Sequence, residues 1–179
     1  MNKTIFSKTL LALVVTGLAL SGTVCTADQT NTVILPAMPV ESAVTAVRGL
    51  IGRLLPGYEN KITFEIIPAD NGHDVFEIET RDNRLVLRGN NGVSIASALN
   101  WYLKYYCHCQ ISWCGDQLNL PNPLPTVNKK VRKVSPYKYR YAFNYCTFGY
   151  AMAFWDWKRW EQEIDFMALN GINTPLAAT

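Results

Sequence analysis

The sequence predicts an α/β protein in two parts, a small two-layer α/β domain followed by the first βα units of a parallel sheet or an α/β barrel. Three observations predict this. Two amphipathic helical patterns flank a run of short strand patterns within residues 28–120. A proline-rich stretch over residues 121–136 interrupts that pattern. Residues 137–179 then read as strand, loop, helix, two-residue turn and strand, which is a βα repeat. With 49% hydrophobic and 17% charged residues, the chain can bury a core, and the disordered class is excluded.

Residues 1–27 stand apart from the fold. Lys3 and Lys8 precede an apolar run from Leu10 to Leu20 that ends in small and polar residues, the layout of a signal peptide. The run is shorter than the roughly 20 residues a membrane span requires. The sequence thus predicts an exported protein, periplasmic or extracellular, cut after Ala27. Lipid anchoring through Cys25 is the rival reading, and Val24 stands where that signal wants a small residue. Loss of Lys3 and Lys8 lowers the formal charge of +3 by two, so the charge gives no sign of a nucleic-acid partner.

Within residues 28–120 the elements follow in order. Asn31 to Pro36 reads as a strand. Val40, Val44, Val47, Ile51 and Leu54 recur at helical spacing until Pro56 and Gly57 stop the run. Ile62–Ile67, Asp74–Thr80 and Arg84–Gly89 read as strands, with Asp-Asn-Gly and Arg-Asp-Asn as the turns between them. A second helix over Gly92–Tyr106 has Val93, Ala96, Leu99, Leu103 and Tyr106 on its apolar face. Cys109–Trp113 reads as a last strand.

Helices on one face of a partly hairpin-connected sheet make a two-layer domain. His73 and His108 have no evident chemical partners, and the asparagines and glycines before Val93 read as turn chemistry. The cysteines of CHCQISWC invite a zinc reading. Cys107 and Cys109 lie only one residue apart, closer than zinc ligand pairs usually do, so the sequence predicts no metal and instead buried or oxidised thiols.

Leu120–Pro136 carries four prolines and reads as an extended surface linker. After it, Tyr139–Thr147 alternates as a strand. Tyr139, Tyr141, Phe143 and Tyr145 fall on one face, and Arg140, Ala142, Asn144 and Cys146 on the other. In α/β barrels the active site gathers at the carboxyl ends of the strands, which makes Asn144 and Cys146 site candidates; filling a barrel layer is the equal alternative. Trp157, Trp160, Ile164 and Met167 define the stripe of the following helix, with Asp156 as its N-cap and Asn170-Gly171 as its stop. Glu161, Glu163 and Asp165 then read as a solvated helix surface, or as partners for Lys158 and Arg159.

The segment YRYAFNYCTFGYAMAFWDWKRWEQEIDFMALNGIN resembles the start of the catalytic barrel of the alpha-N-acetylglucosaminidase family of glycoside hydrolases. The upstream AVRGLIGRLLPG and YLKYYCHCQISWCGDQLNLP resemble the small N-terminal domain of the same family. The resemblance implies a retaining exo-glycosidase that removes terminal alpha-linked N-acetylglucosamine from a glycan, without metal or other cofactor. Asn144 and Cys146 would line the pocket for the terminal sugar, with Tyr150 and Trp155 supporting it from the loop. The family carries its catalytic glutamates on later strands of a (β/α)8 TIM-like barrel, of which these residues write about two strands, so the truncated barrel holds no catalytic carboxylate. Phe143, Phe148 and Gly149 depart from the polar residues of animal members. Two other readings stand beside this one: a carbohydrate- or protein-binding module built on the N-terminal domain alone, and an exo-glycosidase of hexosaminidase type.

Overall fold

The computed structural model describes residues 40–176; the signal peptide, Cys25 and the expected strand over Asn31–Pro36 lie outside the described residues. Among the described residues no helix is long and apolar enough to cross a membrane. Helix α1 spans Val40–Leu54, strands β1, β2 and β3 span Ile62–Ile66, Val75–Arg81 and Arg84–Gly89, and helix α2 spans Gly92–Tyr105. These follow the sequence expectations to within a residue or so, because each has its own periodic signal and its own stop. The buried stripe of α1 runs through Ala43, Val47, Leu50 and Ile51, leaving Val44 and Leu54 only half-buried.

With β4 at Val131–Val134, the sheet order is β1-β3-β2-β4, with β1 parallel to β3 and the other pairs antiparallel. Register and pleat set the two faces. Ile62, Phe64, Phe76, Ile78, Leu85 and Leu87 share the face that meets the helices and form the core with Ile51, Ile95 and Leu99. Gly89 lies on this face where α2 begins. A Cβ there would come within 2.8 Å of the Ile95 backbone nitrogen and of Ser94, so only glycine permits the approach. Immediately beyond it Asn91 caps α2, its side chain accepting from Ser94 N–H at 2.9 Å.

Several expectations need correction. Cys109–Trp113 is not a strand; Gln110 forms only an isolated bridge with Gln117. The linker reading of residues 121–136 fails in its second half, where Val131–Val134 forms β4 on the β2 edge. Its first half is also tied down. Val127 is buried and donates its N–H to Thr80 Oγ1, and Tyr102 Oη donates to Pro125 O at 2.7 Å. The charged Arg132 and Lys133 at its centre suit an edge strand, with Arg132 donating to Glu77 Oε1 at 2.7 Å.

The third correction concerns the strand expected over Tyr139–Thr147. Strand β5 is only Tyr141–Ala142, and a short helix α3 follows at Tyr145–Tyr150. Phe143 between them has φ = 72°, a left-handed conformation that an extended strand cannot continue through. A 3-10 turn at Met152–Phe154 leads into helix α4, Trp157–Leu169, which Asp156 caps by accepting from Arg159 N–H at 2.9 Å. Asn170 and Gly171 (φ = 77°) end it as expected. Gly171 N–H donates to Ala168 O and Ile172 N–H to Met167 O, the double bond of a Schellman stop. Strand β6, Thr174–Pro175, then pairs in parallel with β5.

The face that α4 buries also differs from the expectation. Trp157 and Ile164 are exposed, whereas Glu163, Met167 and Leu169 are buried. The reason is that α4 packs on α2, where buried Asn100 Nδ2 donates to Leu169 O at 3.0 Å. Helix α2 is therefore covered on two sides, by the sheet and by α4.

Candidate functional site

The four residues expected to shape a sugar pocket all lie between the end of β5 and the start of α4. Asn144 follows the left-handed Phe143, and its Oδ1 accepts from Cys146 N–H at 3.0 Å, which makes it the N-cap of α3. The expected common strand face of Asn144 and Cys146 does not exist, because neither residue is in the strand. They are neighbours through that cap instead, and both are exposed. Tyr150 ends α3 with an exposed ring. Trp155 is half-buried, its ring centroid 5.1 Å from that of Trp160 and 4.1 Å from the Arg159 guanidinium carbon.

The tyrosines of the expected strand's aromatic face are open, as are the aromatic residues that follow them. Tyr139, Tyr141, Tyr145, Tyr150, Phe154 and Trp157 are each more than half exposed. Arg140, on the other face of that expected strand, turns toward the N-terminal sheet. Its guanidinium donates to Asp74 Oδ2, to Gly171 O and, at 2.9 Å, to Tyr137 O. Asp74 also accepts from Asn90 and Asn91 at 2.9 and 2.8 Å. Burial pushes the Asp74 carboxyl up, and the hydrogen bonds from Asn90 and Arg140 more than reverse this, leaving it below the usual carboxylate range. No motif or period flags Asp74. The cluster becomes visible only once residues 66 positions apart are brought together.

The described residues include two sizeable clefts. One, of about 510 Å3, is lined by Trp113, Asp116, Arg159 and Phe166; the other, of about 580 Å3, by Ala43, Val47, Ile164 and Ala168. The charges at the first are largely paired with one another, Arg53 gripping Asp165 through two 2.7 Å bonds and Arg159 holding Glu163.

Among the described residues no group of three or more His, Cys, Asp or Glu could hold a metal ion. Cys107 and Cys109 are buried, and Cys109 Sγ donates to Cys107 O at 3.5 Å. Burial pushes the Cys107 thiol up to about 11 and raises Cys109 as well, so neither forms thiolate readily. Cys114 and Cys146 are exposed. A thiol-exchange reagent at pH 8 is expected to modify Cys114 and Cys146 rapidly, and Cys107 and Cys109 only after denaturation. Peptide mapping of the labelled sites checks this, and fast labelling of Cys107 would contradict the burial.

A small α/β domain leading through an edge strand into a parallel βα unit is the layout of an accessory N-terminal domain followed by the start of an α/β barrel. Residues 45–126 match the family described as the alpha-N-acetylglucosaminidase (NAGLU) N-terminal domain, and residues 140–179 match the tim-barrel domain of the same proteins. The chain belongs to the alpha-N-acetylglucosaminidase family of glycoside hydrolases. It is 43% identical over 137 residues to human alpha-N-acetylglucosaminidase, a match covering 74% of this chain and 18% of that protein. Two solved structures of a family 89 glycoside hydrolase from Clostridium perfringens are each 40% identical with a TM-score of 0.74. One, bound to 2-acetamido-1,2-dideoxynojirmycin, covers 77% of this chain; the other, with two glutamates replaced by glutamine and bound to its substrate GlcNAc-alpha-1,4-galactose, covers 76%. The match spans 16% of each of those chains.

Proposed function

We propose that these residues form the N-terminal part of an exported, retaining exo-glycosidase that removes terminal alpha-linked N-acetylglucosamine from a glycan. The observation that carries the reading is the parallel pair of β5 and β6 joined through α4, within the residues matched to the barrel domain. The sugar would meet Asn144 and Cys146 at the carboxyl end of β5, with Tyr150 and Trp155 supporting the pocket. Retention needs two carboxylates about 5–5.5 Å apart across the glycosidic bond. The carboxylates of α4 are committed elsewhere, Glu161 and Asp165 to Arg53 and Glu163 to Arg159. The resemblance to the family assigns the catalytic pair to later strands of the barrel.

The test is release of N-acetylglucosamine from an aryl alpha-N-acetylglucosaminide. The product of the full gene context is expected to turn over and to yield the alpha anomer first by NMR, whereas the 179-residue polypeptide is expected to show no turnover. Turnover by the 179 residues alone would overturn the assignment of the carboxylates. An inactive full product would overturn the glycosidase reading.

A further inference from the structure

The Asp74 carboxylate is saturated by donors from both parts of the chain. Asn90 and Asn91 reach Oδ1 from the turn before α2, and Arg140 and Asn173 reach Oδ2 from the residues just before β5 and β6. Asn173 ties the same two strands together a second time. Its Oδ1 accepts from Arg140 N–H at 2.8 Å, and its Nδ2 donates to Lys138 O at 2.9 Å. Arg140 in turn bonds Gly171 O at the end of the α4 stop and accepts at its own carbonyl from Thr174 N–H at 3.1 Å. Strands β5 and β6 are only two residues long each, so their own ladder can do little to fix where they lie.

We infer that Asp74, Arg140 and Asn173 form a clamp through which the N-terminal domain positions the sugar pocket, setting the starts of β5 and β6 and hence the placement of Asn144 and Cys146 beyond the end of β5. This rests on the proposed glycosidase reading. Asp74 and Arg140 touch no sugar in it; they are positioning residues. The N-terminal sheet supplies the rigid base, since Asp74 immediately precedes β2 and its carbonyl accepts from Ser135 N–H at 2.8 Å after β4. Three residues separate Arg140 from Asn144, the left-handed Phe143 among them, so a shift at the clamp carries directly to the α3 cap.

The experiment has two arms. In the full gene product, Asp74→Asn and Arg140→Met are expected to lower kcat/KM roughly 10-fold each, chiefly through KM, because misplacing binding contacts removes ground-state and transition-state binding together. The double variant should be no worse than either single one, and Arg140→Lys, which keeps the charge facing Asp74, should recover part of the loss. KM within twofold of wild type in both single variants would overturn the positioning role, whatever happens to thermal stability.

The second arm is amide hydrogen exchange on the full gene product. Asp74→Asn is expected to strip protection from Thr174 and Leu176 N–H, which bond Arg140 O and Ala142 O, while the β2–β3 amides keep theirs. Unchanged protection at Thr174 and Leu176 would overturn the clamp itself. Absence of turnover in the wild-type full product overturns the glycosidase reading and its sugar-positioning consequence, and the exchange arm still decides whether the clamp holds.

Discussion

Replacing Arg88 with methionine is expected to remove about 3 kcal/mol of stability at neutral pH, with most of that difference disappearing in acid. Arg88 is at the centre of the sheet face opposite the helices, only 8% exposed. Its Nε donates to Glu65 at 2.5 Å and its Nη2 to Glu79 at 2.6 Å, while Nη1 lies 3.8 Å from Glu77. Glu77 has two further cations, Lys130 at 2.5 Å and Arg132 at 2.7 Å, and Glu65 also pairs with Arg81. Methionine keeps most of the side-chain volume, so the loss reports the charge and not a cavity. The carboxylates at risk are a quarter to a third exposed, which places the cost at the lower end of the range for breaking a buried pair.

The pH dependence follows from the same contacts. Hydrogen bonds from Arg88 are the largest influence holding the Glu65 and Glu79 carboxyls below their ordinary range. A carboxyl whose folded pKa is depressed contributes stability above its unfolded pKa, roughly 4.3, and loses it as pH falls through the lower folded value. The gap between wild type and Arg88→Met should therefore be full at pH 7 and shrink below pH 4. Urea unfolding at pH 7 and pH 3 measures it. An equal gap at both values would show that the loss comes from packing.

The N-terminal elements were legible because their signals are local. Helix α1 ends at Leu54, just before Pro56-Gly57, β2 and β3 are separated by Asp82-Asn83, both with positive φ, and α2 starts behind the Asn91 cap. Strand β4 was not legible. A stretch rich in proline and lysine reads as solvated, and only its pairing with β2, through Val131 opposite Ile78 and Arg132 opposite Glu77, makes it a strand. The alternation of Tyr139–Thr147 was a true period with a false reach. Asn144 is a cap residue by type, and a cap competes with a strand continuing through it. The site candidates were found by resemblance and by strand direction, but the clamp behind them depends on Asp74 meeting Arg140, which no spacing encodes.

The other large effect is expected at Arg159, where sequence spacing is silent about burial. Glu161, Glu163 and Asp165 are equivalent acids on a helix pattern, yet Glu163 is 1% exposed while Glu161 keeps about a third of its side-chain surface. Glu163 meets Arg159 Nη2 at 2.8 Å, one turn earlier on α4. Arg159→Ala would leave that carboxylate buried without its cation and remove the guanidinium from the Trp155 ring, at a cost of about 3 kcal/mol. Glu161→Ala should stay within about 0.5 kcal/mol, because its Arg53 contact is 3.5 Å long and exposed, and Arg53 keeps Asp165. Adding Glu163→Met to Arg159→Ala should restore much of the loss, since the uncompensated charge is then gone. Urea denaturation of the four proteins decides it. If Arg159→Ala unfolds no more easily than Glu161→Ala, Glu163 is stabilised by something other than its cation; if the double variant is worse than Arg159→Ala, the pair matters through packing against α2 and not through charge.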